Sequence, residues 1–231
     1  MNFTGALGEA IAIANELRQR EEERYLVSCN LEGLEQIKGR KVDVEELAYV
    51  IRDYLRIVKN DNDIQIVFKP IKVSNEYLLG SAYNVGSVVE VYYSIDLNTC
   101  WQRFVQCKEL VQLYIDNDES KSKTISYTPS DIINQLSEVI NSQSILFSGD
   151  NEKTFDPGFD NEALAFIVAV LVMLPPSDKN LIRFLGHLID DKTRNITHYD
   201  LALMYKTPEI IIKFYRAHLE KAVLLFDHKA V

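Results

Sequence analysis

The side chains best placed to do chemistry lie in one stretch, residues 100–116, CWQRFVQCKELVQLYID. Lys108 and Gln112 are four residues apart, with Glu109 beside Lys108, so on a helix an ammonium, an amide and a carboxylate project together. Asp160 and Glu162 add two carboxylates at the head of a later apolar run. A carboxylate such as Glu109 works as a general base only where something nearby acidifies the group it deprotonates. Donors for a metal that would do this are poor. Lys108 must lose its proton before its nitrogen can donate, and Gln112 offers a weak neutral oxygen. The four histidines (His187, His198, His218, His228) are all C-terminal, without HxxH or HxxxH spacing, and read as surface or core residues. Cys29, Cys100 and Cys107 show no CxxC spacing and read as reduced thiols, Cys107 as an inert one in a buried helix. There is no GxSxG, P-loop or GxGxxG.

Periodicity identifies the elements that must position these groups. Residues 4–28 read as an amphipathic helix, with Leu7, Ile11, Ile13, Ala14 and Leu17 inward and the charged run Arg18–Arg24 as a solvated face. Residues 30–41 read as a loop. Asp43 then caps a helix carrying Leu47, Val50, Ile51, Tyr54 and Leu55, with Glu46 as its capping-box partner. The period changes to two at Ile64, Ile66 and Phe68, a strand closed by Pro70. Strands over 77–83 and 88–95 follow, joined through Asn84-Val85-Gly86. A sheet of about three strands, at least partly antiparallel, therefore precedes the helix of residues 100–116, which Asn98 or Thr99 caps.

Beyond it, residues 117–128 are polar and residues 129–140 read as a helix. A loop over 147–158 leads into a nearly all-apolar, buried helix over 160–174. Ser177 and Asp178 cap another helix, with Ile182, Leu185 and Leu188 on its stripe. Residues 197–218 read as helix, tight turn, helix, with Ala202 and Ile212 where a helix-turn-helix places small and aliphatic residues. The expected architecture is one α+β domain over residues 1–231. It divides into an N-terminal helix and loop (1–41), a core (42–176) and a C-terminal helical cap (177–231).

Written as a pattern, Arg103-Phe104 through Gln112 resembles the R-F-x-x-A-H-E-x-x-H helix of the ImmA/IrrE family of bacterial zinc metallopeptidases. Lys108 and Gln112 stand at the two histidine positions, and Glu109 is kept. Asp160–Phe166, running on to Leu174-Pro175-Pro176, resembles the family's E-x-x-A-x-x-F helix that ends in L-M-P. The resemblance covers roughly residues 42–225. It implies a minimal zincin-like domain with a peptidase-like core, Glu109 in the general base's place, and Asp160 or Glu162 in the third ligand's place. It further implies that the last strand, with Val89, Val91 and Tyr93, runs along the substrate cleft. The family's setting is bacterial regulation of mobile elements and stress genes, with helix-turn-helix repressors as partners.

Because the zinc positions lack zinc donors, the expectation is a pseudo-enzyme with no metal and no cofactor. Lys108 would serve as a buried cation between Glu109 and Asp160, with Gln112 completing the site. The expected function is a protein-binding or regulatory module that grips an extended peptide by strand addition. Two readings compete with it: an active metallopeptidase with atypical ligands, and a DNA-binding regulator built on the C-terminal helices.

Bulk properties bound the partners. The 231 residues are 47% hydrophobic and 10% aromatic, enough for a substantial core. A net charge of −9 argues against a nucleic-acid-binding surface as a whole. Between 192 and 221 six basic residues (Lys192, Arg194, Lys206, Lys213, Arg216, Lys221) face three acids (Asp200, Glu209, Glu220), too small an excess for a DNA claim. The most apolar stretch, Ala163–Pro176, is shorter than the ~20 residues of a membrane span. With no basic segment before an apolar run at the N-terminus, the expectation is a cytoplasmic protein.

Overall fold

The computed structural model describes residues 3–30, 40–72, 80–116, 157–174 and 197–219. Within them, α1 (Phe3–Ser28) and α2 (Val44–Lys59) precede β1 (Gln65–Ile71), β2 (Gly80–Val85) and β3 (Val88–Ser94). Then come α3 (Thr99–Ile115), α4 (Pro157–Met173), α5 (His198–Tyr205) and α6 (Glu209–Phe214), the last running into a π-helical turn, Tyr215–Leu219. The architecture is mixed α+β with a small sheet. Among the described residues no helix is long and apolar enough to cross a membrane. The helices expected over 129–140 and from Ser177, the loops over 30–41 and 147–158, and the polar stretch 117–128 fall wholly or largely outside the described residues.

The capping chemistry follows the sequence with one exchange. Asp43 accepts from the Glu45 and Glu46 amides and starts α2. Glu46, however, does not close a capping box. The Asp43 N–H donates instead to Glu21 Oε1 at 2.7 Å, while Glu46 accepts from Ser28 Oγ at 2.7 Å. Asn98 rather than Thr99 caps α3, accepting from the Trp101 amide at 3.1 Å. Thr197 and Asp200 form a complete capping box on α5, and Lys206 ends that helix in the left-handed conformation.

The sheet order is β1-β3-β2, with β1 parallel and β2 antiparallel to β3. Gly86, at φ +62°, takes the first position of the two-residue turn between β2 and β3, so β2 runs through Val85 instead of turning there. Ile66, Phe68, Ala82, Val89 and Val91 lie on the face turned to the helices. Pro70 does not close β1; it sits within this edge strand, where its missing N–H costs no ladder bond.

Helix α3 packs against β2 and β3 and against α2 and α4, while α1 lies across α2 and α4. The run from Ala165 to Leu174 is buried without interruption, as its all-apolar composition requires. The charged run of α1 departs from expectation, because Arg18 and Glu21 are buried. Arg18 pairs with Glu22 at 2.9 Å and with Glu21 at 3.4 Å, and Arg40 pairs with Glu21. This ionic cluster ties α1 to the segment that opens α2.

Candidate functional site

Helix α3 turns Lys108, Gln112 and Asp116 to one side at four-residue spacing, with Glu109 next to Lys108. Opposite them, the first turns of α4 bring Asn161 and Glu162. The Lys108 ammonium donates to Gln112 Oε1 at 3.0 Å, lies 3.2 Å from Glu109 Oε1, and is bonded to Glu162 Oε1. Gln112 Nε2 reaches Asp116 Oδ2 at 3.4 Å, and Asn161 Nδ2 donates to Asp116 Oδ1 at 2.7 Å. Two rungs, Lys108–Glu162 and Asp116–Asn161, therefore latch α3 to α4.

The charged side chains of this cluster are largely removed from water, with 12% of Lys108, 7% of Glu109 and 15% of Glu162 exposed. Burial acts against the charge on Lys108, yet Glu109 and then Glu162 outweigh it and hold the ammonium above its ordinary pKa. Burial also lifts the Glu109 carboxyl above its ordinary value, and the nearby Glu162 adds to the lift while Lys108 opposes it. Lys108 is the firm charge of the site. Burial makes the Glu109 carboxyl easier to protonate than an ordinary carboxyl.

Gly80, at the start of β2, sets the distance between sheet and site. A Cβ there would stand 2.2 Å from Val105 Cγ1 and 3.4 Å from Glu109 Cγ. Only a residue without a side chain lets the strand lie this close to α3.

The sequence-derived site residues divide into those brought together and those that are not. Lys108, Glu109, Gln112 and Glu162 meet. Asp160 lies in α4, but its side chain falls outside the described residues. Val89, Val91 and Tyr93 require a correction as a peptide-binding strand. β3 is the interior strand, paired with β1 on one side and β2 on the other, so it has no free edge for an added strand. Val89 and Val91 are buried in the core. The Cys107 thiol is fully buried and pushed up to about 12, which makes it a poor nucleophile at neutral pH. In the C-terminal helices Lys213 is paired with Glu209 at 2.7 Å and Arg216 meets His198 Nε2 at 3.2 Å. Asp116 and Asn161 were not foreseen, although Asp116 continues the Lys108–Gln112 spacing and Asn161 adjoins Glu162.

This donor set does not fit a zinc ion. The ammonium stands where both carboxylates point, and among the described residues the only further donor atom it contacts is an amide oxygen. Among the described residues no three His, Cys, Asp or Glu gather as metal ligands. What the arrangement does is neutralise charge and lock two helices together. No protein-family model matches the chain, and no curated protein matches it in sequence.

Proposed function

We propose that the chain is a catalytically silent protein of the ImmA/IrrE metallopeptidase type that acts as a protein-binding regulatory module. Its partner class is a helix-turn-helix repressor or another mobile-element protein. The observation that carries this reading is the Lys108 ammonium held between Glu109 and Glu162, with Gln112 as its third partner. Glu109 keeps the place of a general base, but its neighbours are the Lys108 ammonium and the Gln112 amide, which are poor donors for a metal that would acidify a water or stabilise an oxyanion. A base so placed, and bonded to an ammonium, positions and neutralises without turning over substrate.

Elemental analysis and a peptidase assay test the reading together. Protein purified without chelator should contain far less than one zinc per chain and leave an unstructured protein substrate intact when zinc is added. A repressor encoded beside its gene should bind and remain uncleaved. One tightly held zinc per chain, with cleavage that a chelator abolishes, would establish the active-enzyme alternative instead.

A further inference from the structure

The two edges of the sheet are unlike. On β1 the edge carries Lys69 and Pro70, a charge and a missing donor of the kind that discourage a further strand. The β2 edge, Gly80-Ser81-Ala82-Tyr83-Asn84-Val85, has neither a charge nor a proline, and among the described residues it pairs only with β3. Its turn-proximal half is exposed to solvent: Tyr83 is 39% exposed, Val85 58%, and Asn84 is exposed as well.

The ladder fixes which backbone groups turn away from β3. The two-residue turn after Val85 makes Val85–Val88 a hydrogen-bonded pair, and such pairs alternate along an antiparallel ladder. Tyr83–Glu90 is then bonded as well, while Asn84, opposite Val89, turns its N–H and C=O away from β3.

We infer that this edge is completed by a second copy of the chain, β2 against β2, antiparallel about a two-fold axis at Asn84. The chemistry is self-complementary in that register. Each Asn84 N–H meets the Asn84 carbonyl of the other copy. Each Tyr83 stands opposite the other copy's Val85, an aromatic with a β-branched residue, which is a favourable cross-strand pair. Both pairs lie on the outer face of the sheet, where Tyr83 already meets Tyr92 edge-on at 5.8 Å between centroids. No like charges meet at the contact, because the neighbouring Glu90 is bonded to Lys69. A foreign segment would need to supply these features; a second copy brings them by symmetry. The Gly80 end, held against α3, lies about 13 Å along the strand from the axis, clear of the contact. A patch this short buries less than a standard stable interface, so the dimer is weak and forms as concentration rises.

Sedimentation velocity on the full chain, from micromolar to sub-millimolar concentration, tests the inference, with circular dichroism as the fold control. The wild-type protein should pass from monomer to dimer. Asn84→Lys, which sets two ammonium groups against each other at the axis, should weaken association by about tenfold or more, and Val85→Lys should weaken it too. An equimolar mixture of the Asn84→Lys and Asn84→Glu proteins should regain it, since only a contact in which position 84 meets itself rewards opposite charges there. A wild-type protein that stays monomeric throughout overturns the inference. So does a dimer indifferent to both lysine substitutions, or a mixture no stronger than Asn84→Lys alone. Zinc content and peptidase activity read the Lys108 site separately, so failure here leaves the proposed function standing.

Discussion

An ammonium as little exposed as that of Lys108 stays charged only because three acceptors surround it, two of them carboxylates. Removing it leaves Glu109 and Glu162 facing each other without a cation. Lys108→Ala should therefore cost ~3–5 kcal/mol on denaturant unfolding, the range for breaking a buried pair. Lys108→Met should cost less, because the methionine fills the space and the carboxylates can share a proton. A loss below ~0.5 kcal/mol for Lys108→Ala would mark the ammonium as merely solvated. The same site predicts a pH dependence. Burial raises the folded Glu109 pKa above its ordinary 4.5, so over that window the folded state binds more protons than the unfolded state. Stability from this group is full below the ordinary value and is lost as pH rises through the raised one. In unfolding series across this range, wild type should lose stability relative to Glu109→Gln as pH rises from about 4.5 towards neutral. Equal slopes for the two proteins would contradict the shift.

Between elements, β2 lies close against α3 at Gly80. Gly80→Ala puts a methyl 2.2 Å from Val105 Cγ1 and 3.0 Å from the Tyr92 carbonyl, and should cost ~1–3 kcal/mol as an overpacking change. Adding Val105→Ala should recover part of that loss, a non-additivity that a double-mutant cycle reads directly. Simple additivity would show that the strand shifts away freely. Among the described residues the elements themselves were legible, because period and caps are local: Asp43 and Asn98 fix helix starts within a few residues. Strand order was not legible. Whether β3 is an edge or an interior strand depends on which distant segment pairs with it, and alternation in 88–95 is silent on that. The buried Glu21 left a signal that its charge masked. Leu7, Ala10, Ala14 and Leu17 advance by three and four residues, and Glu21 is the next member of that stripe. Arg18, Arg40 and the Asp43 N–H make its burial tolerable.

Across the whole molecule, one aromatic series joins the helices. Trp101, Phe104, Phe166 and Phe214 meet edge-on at 5.9, 5.4 and 5.4 Å, linking α3 to α4 and α4 to α6. Their neighbours from α1, α2, the sheet and α5 belong to the same buried cluster. Phe166→Ala should cost ~3–5 kcal/mol and keep one cooperative transition, seen alike by tryptophan fluorescence and by circular dichroism. Separate transitions by the two probes would mean that the C-terminal helices hold together independently of the core. At this scale the sequence showed an α+β chain with one all-apolar helix at its centre. It also pointed to five side chains, Lys108, Glu109, Gln112, Asp160 and Glu162, with Asp160 taken before Glu162 at the third position. That Glu162 meets Lys108 depends on the rotation of α4 against α3, which is set by packing over both helices, and the side chain of Asp160 lies outside the described residues.

The most direct test of the central claim, that Lys108 fills the place of a cation between two helices, is to restore donors and ask whether a metal enters. Lys108→His combined with Gln112→His places two imidazoles four residues apart around Glu109, with Glu162 facing them. Thermal unfolding of that protein at increasing zinc should show a melting temperature that climbs with concentration, as binding to the native state requires. Adding Glu162→Ala should remove most of the rise. If the double variant keeps its circular dichroism but neither takes up zinc nor gains stability from it, those positions do not converge on a cation's place, and the account of Lys108 as its substitute is wrong.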